Sequence, residues 1–137
     1  MEWVDPVFCS GHWGPELVEI AGGHDPLGRK RQPSAQIEWN AVVEAQPEVV
    51  VLALCGYNVD VARRDYELLR TFAGFELLPA AQNNEIYIVD AGAYFARPGP
   101  RIVESLEILA GILHPEEFPE FSPDRTCGQR VVRAVDT

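Results

Sequence analysis

The sequence is short of the residues that make several function classes easy to assign. It holds 3 cysteines, Cys9, Cys55 and Cys127, an odd count at wide spacing. That arrangement excludes a disulfide framework and a Cys-x-x-Cys metal site, and the three read as inert thiols, buried or on the surface. Positive charge is scarce: 11 Lys and Arg against 21 Asp and Glu leave a net charge of −10. An acidic chain is repelled by a phosphate backbone, so nucleic acid is excluded as a general partner. Long apolar runs are missing as well. The longest, residues 49–55, is strand-sized and falls far below the roughly 20 residues of a membrane span.

Catalytic signatures are absent too. There is no Gly-x-Ser-x-Gly, no phosphate loop and no Gly-x-Gly-x-x-Gly. The 3 histidines, His12, His24 and His114, lie far apart and show no zinc-ligand spacing. Cys9 or Cys55 could be combined with His12 and an Asp into a nucleophile triad, but nothing in the spacing favours it. The expectation is a protein that is not an enzyme, with no catalytic residue, no metal ligand and no cofactor.

The opening residues, MEWVDPVF, have neither a basic n-region nor an apolar h-region. As written, the chain is expected in the cytoplasm; as part of a longer secreted protein, it is expected in the periplasm or at the cell surface.

What is present suits one folded domain. The chain has 137 residues, of which 47% are hydrophobic, enough for a real core. Arginine supplies nearly all the positive charge, and the one basic cluster, Arg29, Lys30 and Arg31, reads as a solvated loop.

The pattern along the chain alternates between strand and helix. A short extended stretch at EWVDPVF, where Pro6 keeps Asp5 out of the helical region, precedes a short helix with Pro15 in its first turn. Leu17, Val18, Ile20 and Ala21 supply its apolar side, and Gly22 and Gly23 suit a left-handed cap. A loop, HDPLGRKRQP, leads to a second helix expected over 34–45, with Ser34 as N-cap and Pro47 as its stop. EVVVLALCG then reads as a strand covered on both faces. A third helix follows, capped by Asp60, with Val61, Leu68, Leu69 and Phe72 on one face. EIYIVD alternates as a half-buried strand. A last helix begins near Pro100, with Ile102, Val103, Leu106, Leu109, Ala110 and Leu113 as its stripe. Pro115 stops it, and residues 119–137 are expected to be a weakly structured tail. The order implies an α/β fold, a three-layer Rossmann-like lobe over 1–118 with a mostly parallel central sheet.

In open α/β sheets ligands gather at the carboxyl ends of strands. Three loops qualify. The first carries Ser10, Gly11, His12 and Trp13; the second Cys55, Gly56, Tyr57 and Asn58; the third Gly92, Tyr94, Phe95 and Arg97. Each places an aromatic ring near a glycine. Glycine lets the backbone approach a ligand, and ring faces bury a large flat molecule. Each residue also has a plainer role open to it. Trp13 could cover the helix it precedes, and His12 could be a satisfied turn histidine. Tyr94 and Phe95 are adjacent, so in an extended stretch one of them points into the core. Arg97 could hold an acid group of a ligand or tie its own loop to nearby carbonyls.

Three stretches carry a resemblance: EWVDPVFCSGHWGPELVEIAGG, PEVVVLALCGY and IYIVDAGAYFARPGPRIVESLEILAGILHPE. They resemble the C-terminal lobe of cobalamin-binding proteins of the ABC-transporter periplasmic substrate-binding family, in its helical-backbone class. That class also binds siderophores and haem. The resemblance covers residues 2–118. It implies two α/β lobes joined by a long helix, with a corrinoid or similar flat ligand between them. This chain would correspond to the second lobe, without the first. It implies His12, Trp13, Gly56, Tyr57, Tyr94, Phe95 and Arg97 as the ligand-facing rim. It also implies a carboxylate on the second helix for docking on an ABC permease. The matching region is 38–44, where Asn40 stands near the expected acid. One lobe buries about half of a clamped corrinoid, so the apolar contribution falls in proportion. The partner expected to complete the cleft is therefore an N-terminal lobe or a second copy; the alternative is a stand-alone interaction module whose half-cleft is a homodimer surface. Ferric siderophore and haem, with His12 as axial ligand, are the other ligands the resemblance leaves open.

Overall fold

The computed structural model describes residues 1–12, 14–53, 59–89, 102–121 and 131–133. Five strands and five α-helices are placed among them, with two short 3-10 turns at Phe75–Leu77 and Pro119–Phe121. In chain order they are β1 (Gly11–His12), α1 (Gly14–Ile20), β2 (Arg29–Lys30), α2 (Trp39–Ala45), β3 (Val50–Leu52), α3 (Val59–Leu69), α4 (Pro79–Gln82), β4 (Ile86–Val89), α5 (Ile102–Leu113) and β5 (Val131–Arg133).

β3 and β4 run parallel, with Val50 opposite Ile86 and Leu52 opposite Ile88. β5 joins the far edge of β4 antiparallel, pairing Val131 with Val89. It comes from the stretch where the sequence shows little periodicity. On the other edge, Met1 lies along β3: its amino group donates to the Val51 carbonyl at 2.9 Å, and the Ala53 N–H donates back to the Met1 carbonyl at 2.9 Å. A separate parallel pair, β1 with β2, sets Gly11 opposite Arg29 and His12 opposite Lys30. The whole is a mixed helix and strand fold around a small, partly parallel sheet.

Neighbouring residues of β3 and β4 point to opposite faces. Val50, Leu52, Ile86 and Ile88 share one cluster with Ala62, Tyr66 and Leu69 of α3 and with Phe75 and Leu78. Tyr87, Val89, Val51 and Ala53 pack instead with Ile108 and Ile112 of α5. Leu17 and Ala21 of α1 extend that second face through Leu109. All four residues of β4 are consequently buried. The alternation expected of EIYIVD is corrected on this point: helices cover both of its faces. The Tyr87 hydroxyl remains satisfied by donating to the Glu85 carboxylate.

Local sequence explains several helix ends. α1 closes in a Schellman motif. Gly23 N–H donates to the Val18 carbonyl and Gly22 N–H to that of Glu19, with Gly22 at φ 92°, a conformation that costs glycine nothing. α2 starts at Trp39, not at 34, and its N-cap is Glu38 without a side-chain bond. Residues 35–37 are drawn into strand-like pairing instead. Cys9 N–H reaches the Ala35 carbonyl, Ile37 N–H reaches the Val7 carbonyl, and Phe8 bridges Gln36. Those long-range bonds outweigh local helix propensity. Asp60 lies inside α3, which already begins at Val59, so it is not the cap.

The buried face of α3 also differs from expectation. Val61 and Leu68 are exposed, whereas Ala62, Tyr66 and Leu69 are buried. Tyr66 meets Phe75 edge to face at a centroid distance of 6.3 Å. In α5 the most buried residues are Ile108, Leu109 and Ile112, with Leu106, Ala110 and Leu113 alongside. Gly111 of this helix lies against the Phe121 backbone. Cys9 is a buried free thiol. No helix among the described residues is long and apolar enough to cross a membrane.

Candidate functional site

The parallel register of β3 and β4 puts their carboxyl ends, at Leu52 and Val89, at one end of the sheet. The chain leaves both strands there, toward the second and third glycine-aromatic loops. Gly56, Tyr57, Tyr94, Phe95 and Arg97 lie outside the described residues, and so does Trp13. His12 is described by its backbone, as the second residue of β1.

The first loop shows how such a turn is fixed. β1 is only 2 residues long, so its ladder has few bonds of its own. The remainder comes from outside. A Glu2 carboxylate oxygen accepts the Gly11 N–H at 2.6 Å. The Ser10 hydroxyl donates to Asp25 at 2.6 Å, and the other Asp25 oxygen accepts the Leu27 N–H at 3.1 Å. The Ser10 carbonyl receives the Arg29 N–H at 2.9 Å. Bonds to an ionised carboxylate are stronger than neutral ones. Gly11 itself is required by space: a Cβ there would sit 2.3 Å from Ser34 N and 2.6 Å from the Gln32 carbonyl oxygen.

The sequence reading missed Glu2 and Asp25. Glu2 carries no local signal, because its partner is Gly11 across a turn. Asp25 does carry one: Asp-Pro-Leu-Gly is a turn in which an aspartate commonly accepts the N–H two residues on.

Behind this turn, α1 and the β2 segment are joined by charge. Arg31 meets Glu16 at 2.7 Å and Lys30 meets Glu19 at 2.6 Å. Lys30 and Arg31 of the basic cluster are thus paired with acids while the cluster stays exposed to solvent. On α2, Asn40 donates to Glu44 at 3.2 Å, and both are exposed. Among the described residues no group of three His, Cys, Asp or Glu could hold a metal ion. The described part of the site is therefore a backbone frame held by carboxylates, suited to presenting side chains at strand ends.

No family model matches the chain, and no curated protein does. Solved structures do. The chain is similar to the TroA-like periplasmic binding protein FepB from Veillonella parvula, with a TM-score of 0.60 and 20% identity, over 84% of this chain and 36% of that one. It is also similar to an ABC transporter substrate-binding protein from Listeria monocytogenes EGD-e, with a TM-score of 0.60 and 19% identity, over 74% of this chain and 39% of that one. At such identities the likeness is one of fold. The chain spans well under half the length of either protein.

Proposed function

We propose that this chain is a ligand-binding lobe of the ABC-transporter substrate-binding kind, three-layered and Rossmann-like, that binds without catalysis. Its ligand would be a wide, flat molecule of the corrinoid class, cobalamin being the probe of choice. The likeness to two substrate-binding proteins at a TM-score of 0.60 carries the reading. It is supported by the common end of β3 and β4, from which two of the three glycine-aromatic loops depart. In such a lobe, His12, Trp13, Gly56, Tyr57, Tyr94, Phe95 and Arg97 would line one wall of a cleft. Stacking and shape would supply the affinity. An N-terminal lobe would supply the opposite wall, and an ABC permease would receive the ligand, with the protein acting in the periplasm or at the cell surface.

A titration of the full chain with cyanocobalamin tests the ligand. Shifts in the corrinoid absorbance bands and quenching of tryptophan fluorescence are expected. Unchanged signals at high micromolar ligand refute the corrinoid assignment, and parallel titrations with haem and a ferric siderophore then identify which other flat or chelated ligand the lobe takes. Light scattering tests whether a second copy closes the cleft: a strict monomer, with and without ligand, excludes that arrangement.

A further inference from the structure

We propose that the outer face of α1, with the β2 segment beside it, is a two-fold contact surface for a second copy of this chain. α1 turns Leu17 and Ala21 inward, onto Leu109 of α5. Its other side leaves Ile20 67% exposed, level with Leu77 as the most exposed large hydrophobic among the described residues. Ile20 does not stand alone: with Glu16, Glu19, Lys30 and Arg31 it lines an open recess of about 550 Å³. The two acids and two bases are joined as Lys30 to Glu19 at 2.6 Å and Arg31 to Glu16 at 2.7 Å. Arg31 holds its place at φ 56°, a left-handed backbone that favours glycine or asparagine. Its side chain is 82% exposed, so the ion pair returns little stability to set against that conformation. A strained, solvent-facing arginine beside a bare isoleucine points to a use outside the monomer.

Charge identifies the occupant. A chain of net charge −10 repels its own copies over most of its surface. At this recess acids and bases balance, and Arg29 adds one more exposed cation beside Lys30. Equal numbers of both signs on one patch are self-complementary. A two-fold rotation sets Lys30 and Arg31 of one copy against Glu16 and Glu19 of the other, with the two Ile20 side chains between them. The isoleucines supply apolar burial, and the charges fix the register. Leu77 offers no such match, since it follows Glu76 in a stretch, 71–96, that contains no Lys or Arg. The five residues that line the recess fall well short of the roughly 20–30 a side found in a stable interface. The dimer is accordingly weak, with dissociation expected at about 100 μM. The proposal makes no use of the strand ends and does not rest on the ligand reading.

Sedimentation velocity of the full chain, from about 10 μM to about 1 mM, tests the contact. A monomer–dimer equilibrium is expected, and raising the salt to about 0.5 M should weaken it roughly threefold to tenfold. Ile20→Asp should weaken it by about tenfold or more. Two charge variants make the decisive experiment. Lys30→Glu with Arg31→Glu turns the recess all acidic, and Glu16→Lys with Glu19→Lys turns it all basic. Each should be monomeric alone, and an equimolar mixture of the two should dimerise at least as tightly as wild type. Circular dichroism confirms the fold of every variant, and Ile20→Asp stands as an independent check should a charge variant fail to fold. A wild-type chain that stays monomeric at about 1 mM overturns the proposal. A dimer that persists in Ile20→Asp overturns it too, because the contact then lies on another face, and so does a mixture of folded charge variants that does not associate.

Discussion

Replacing Gly111 by alanine sets two effects of known sign against each other. Gly111 lies inside α5, and alanine is about 1 kcal/mol better than glycine in a helix interior. On propensity alone, Gly111→Ala stabilises. Packing says the reverse. A Cβ at 111 would stand 1.9 Å from the Phe121 carbonyl oxygen and 2.4 Å from its carbonyl carbon. The obstacle is main chain, so no rotamer change relieves it; the Pro119–Phe121 turn or α5 itself must move. α5 cannot give way cheaply, because Ile108, Leu109 and Ile112 on the same helix are buried against the sheet and α1. Overpacking of this kind costs roughly 1–3 kcal/mol, and contact with backbone falls at the upper end. The net expectation is a loss of about 1–2 kcal/mol, which lowers the thermal midpoint by about 3–8 °C for a chain of this size. Urea unfolding followed by far-ultraviolet circular dichroism measures it. A variant as stable as wild type, or more stable, would show that the turn at 119–121 does not press on α5, and the packing described for that end of the fold would be wrong.

Leu52→Ala should lose about 2–5 kcal/mol by the same assay, because Leu52 is fully buried in the cluster beneath α3; a loss under 1 kcal/mol would contradict that placement. Tyr66 should ionise above the ordinary tyrosine value of 10.0, because burial disfavours its charged form and Glu67 adds to this against the opposing pull of Arg70. The unfolded chain then releases that proton first, so the contribution is intact below about pH 10 and is lost as the pH climbs through the folded value. The 295 nm absorbance difference between wild type and Tyr66→Phe reads the transition directly, and a component at or below the ordinary value counts against the argument. Arg31→Ala should change stability by less than about 1 kcal/mol, since the pair with Glu16 is solvent-screened, Arg31 being 82% exposed; a larger loss would mean that the pair holds α1 to β2.

The features legible in the sequence are those decided by neighbours along the chain. Gly22 and Gly23 end α1 because only the residue at 22 needs a left-handed backbone. The apolar run around β3 is strand because both of its faces are covered, which β-branched residues signal directly. Where the deciding partner is distant, local pattern misleads. Two overlapping stripes on α3 satisfy helical spacing. Tyr66 rather than Leu68 turns inward because Phe75, beyond the end of the helix, waits there. Ser34 looks like a cap, but residues 7–9 claim the backbone that follows it. At the candidate site, the glycine at position 11 is visible in the sequence and the Glu2 carboxylate holding it is not, for the same reason: hydrogen bonding across the fold has no period.

The glycine at 22 does more than end a helix. Its missing side chain leaves room for the imidazole of His114, whose Nε2 would lie 2.6 Å from any Cβ placed there. α1 and α5 are thereby pinned at neighbouring ends and glued along their length by Leu17, Ala21 and Leu109. Any side chain at 22 would have to displace that imidazole, so the close approach of the two helix ends depends on glycine there.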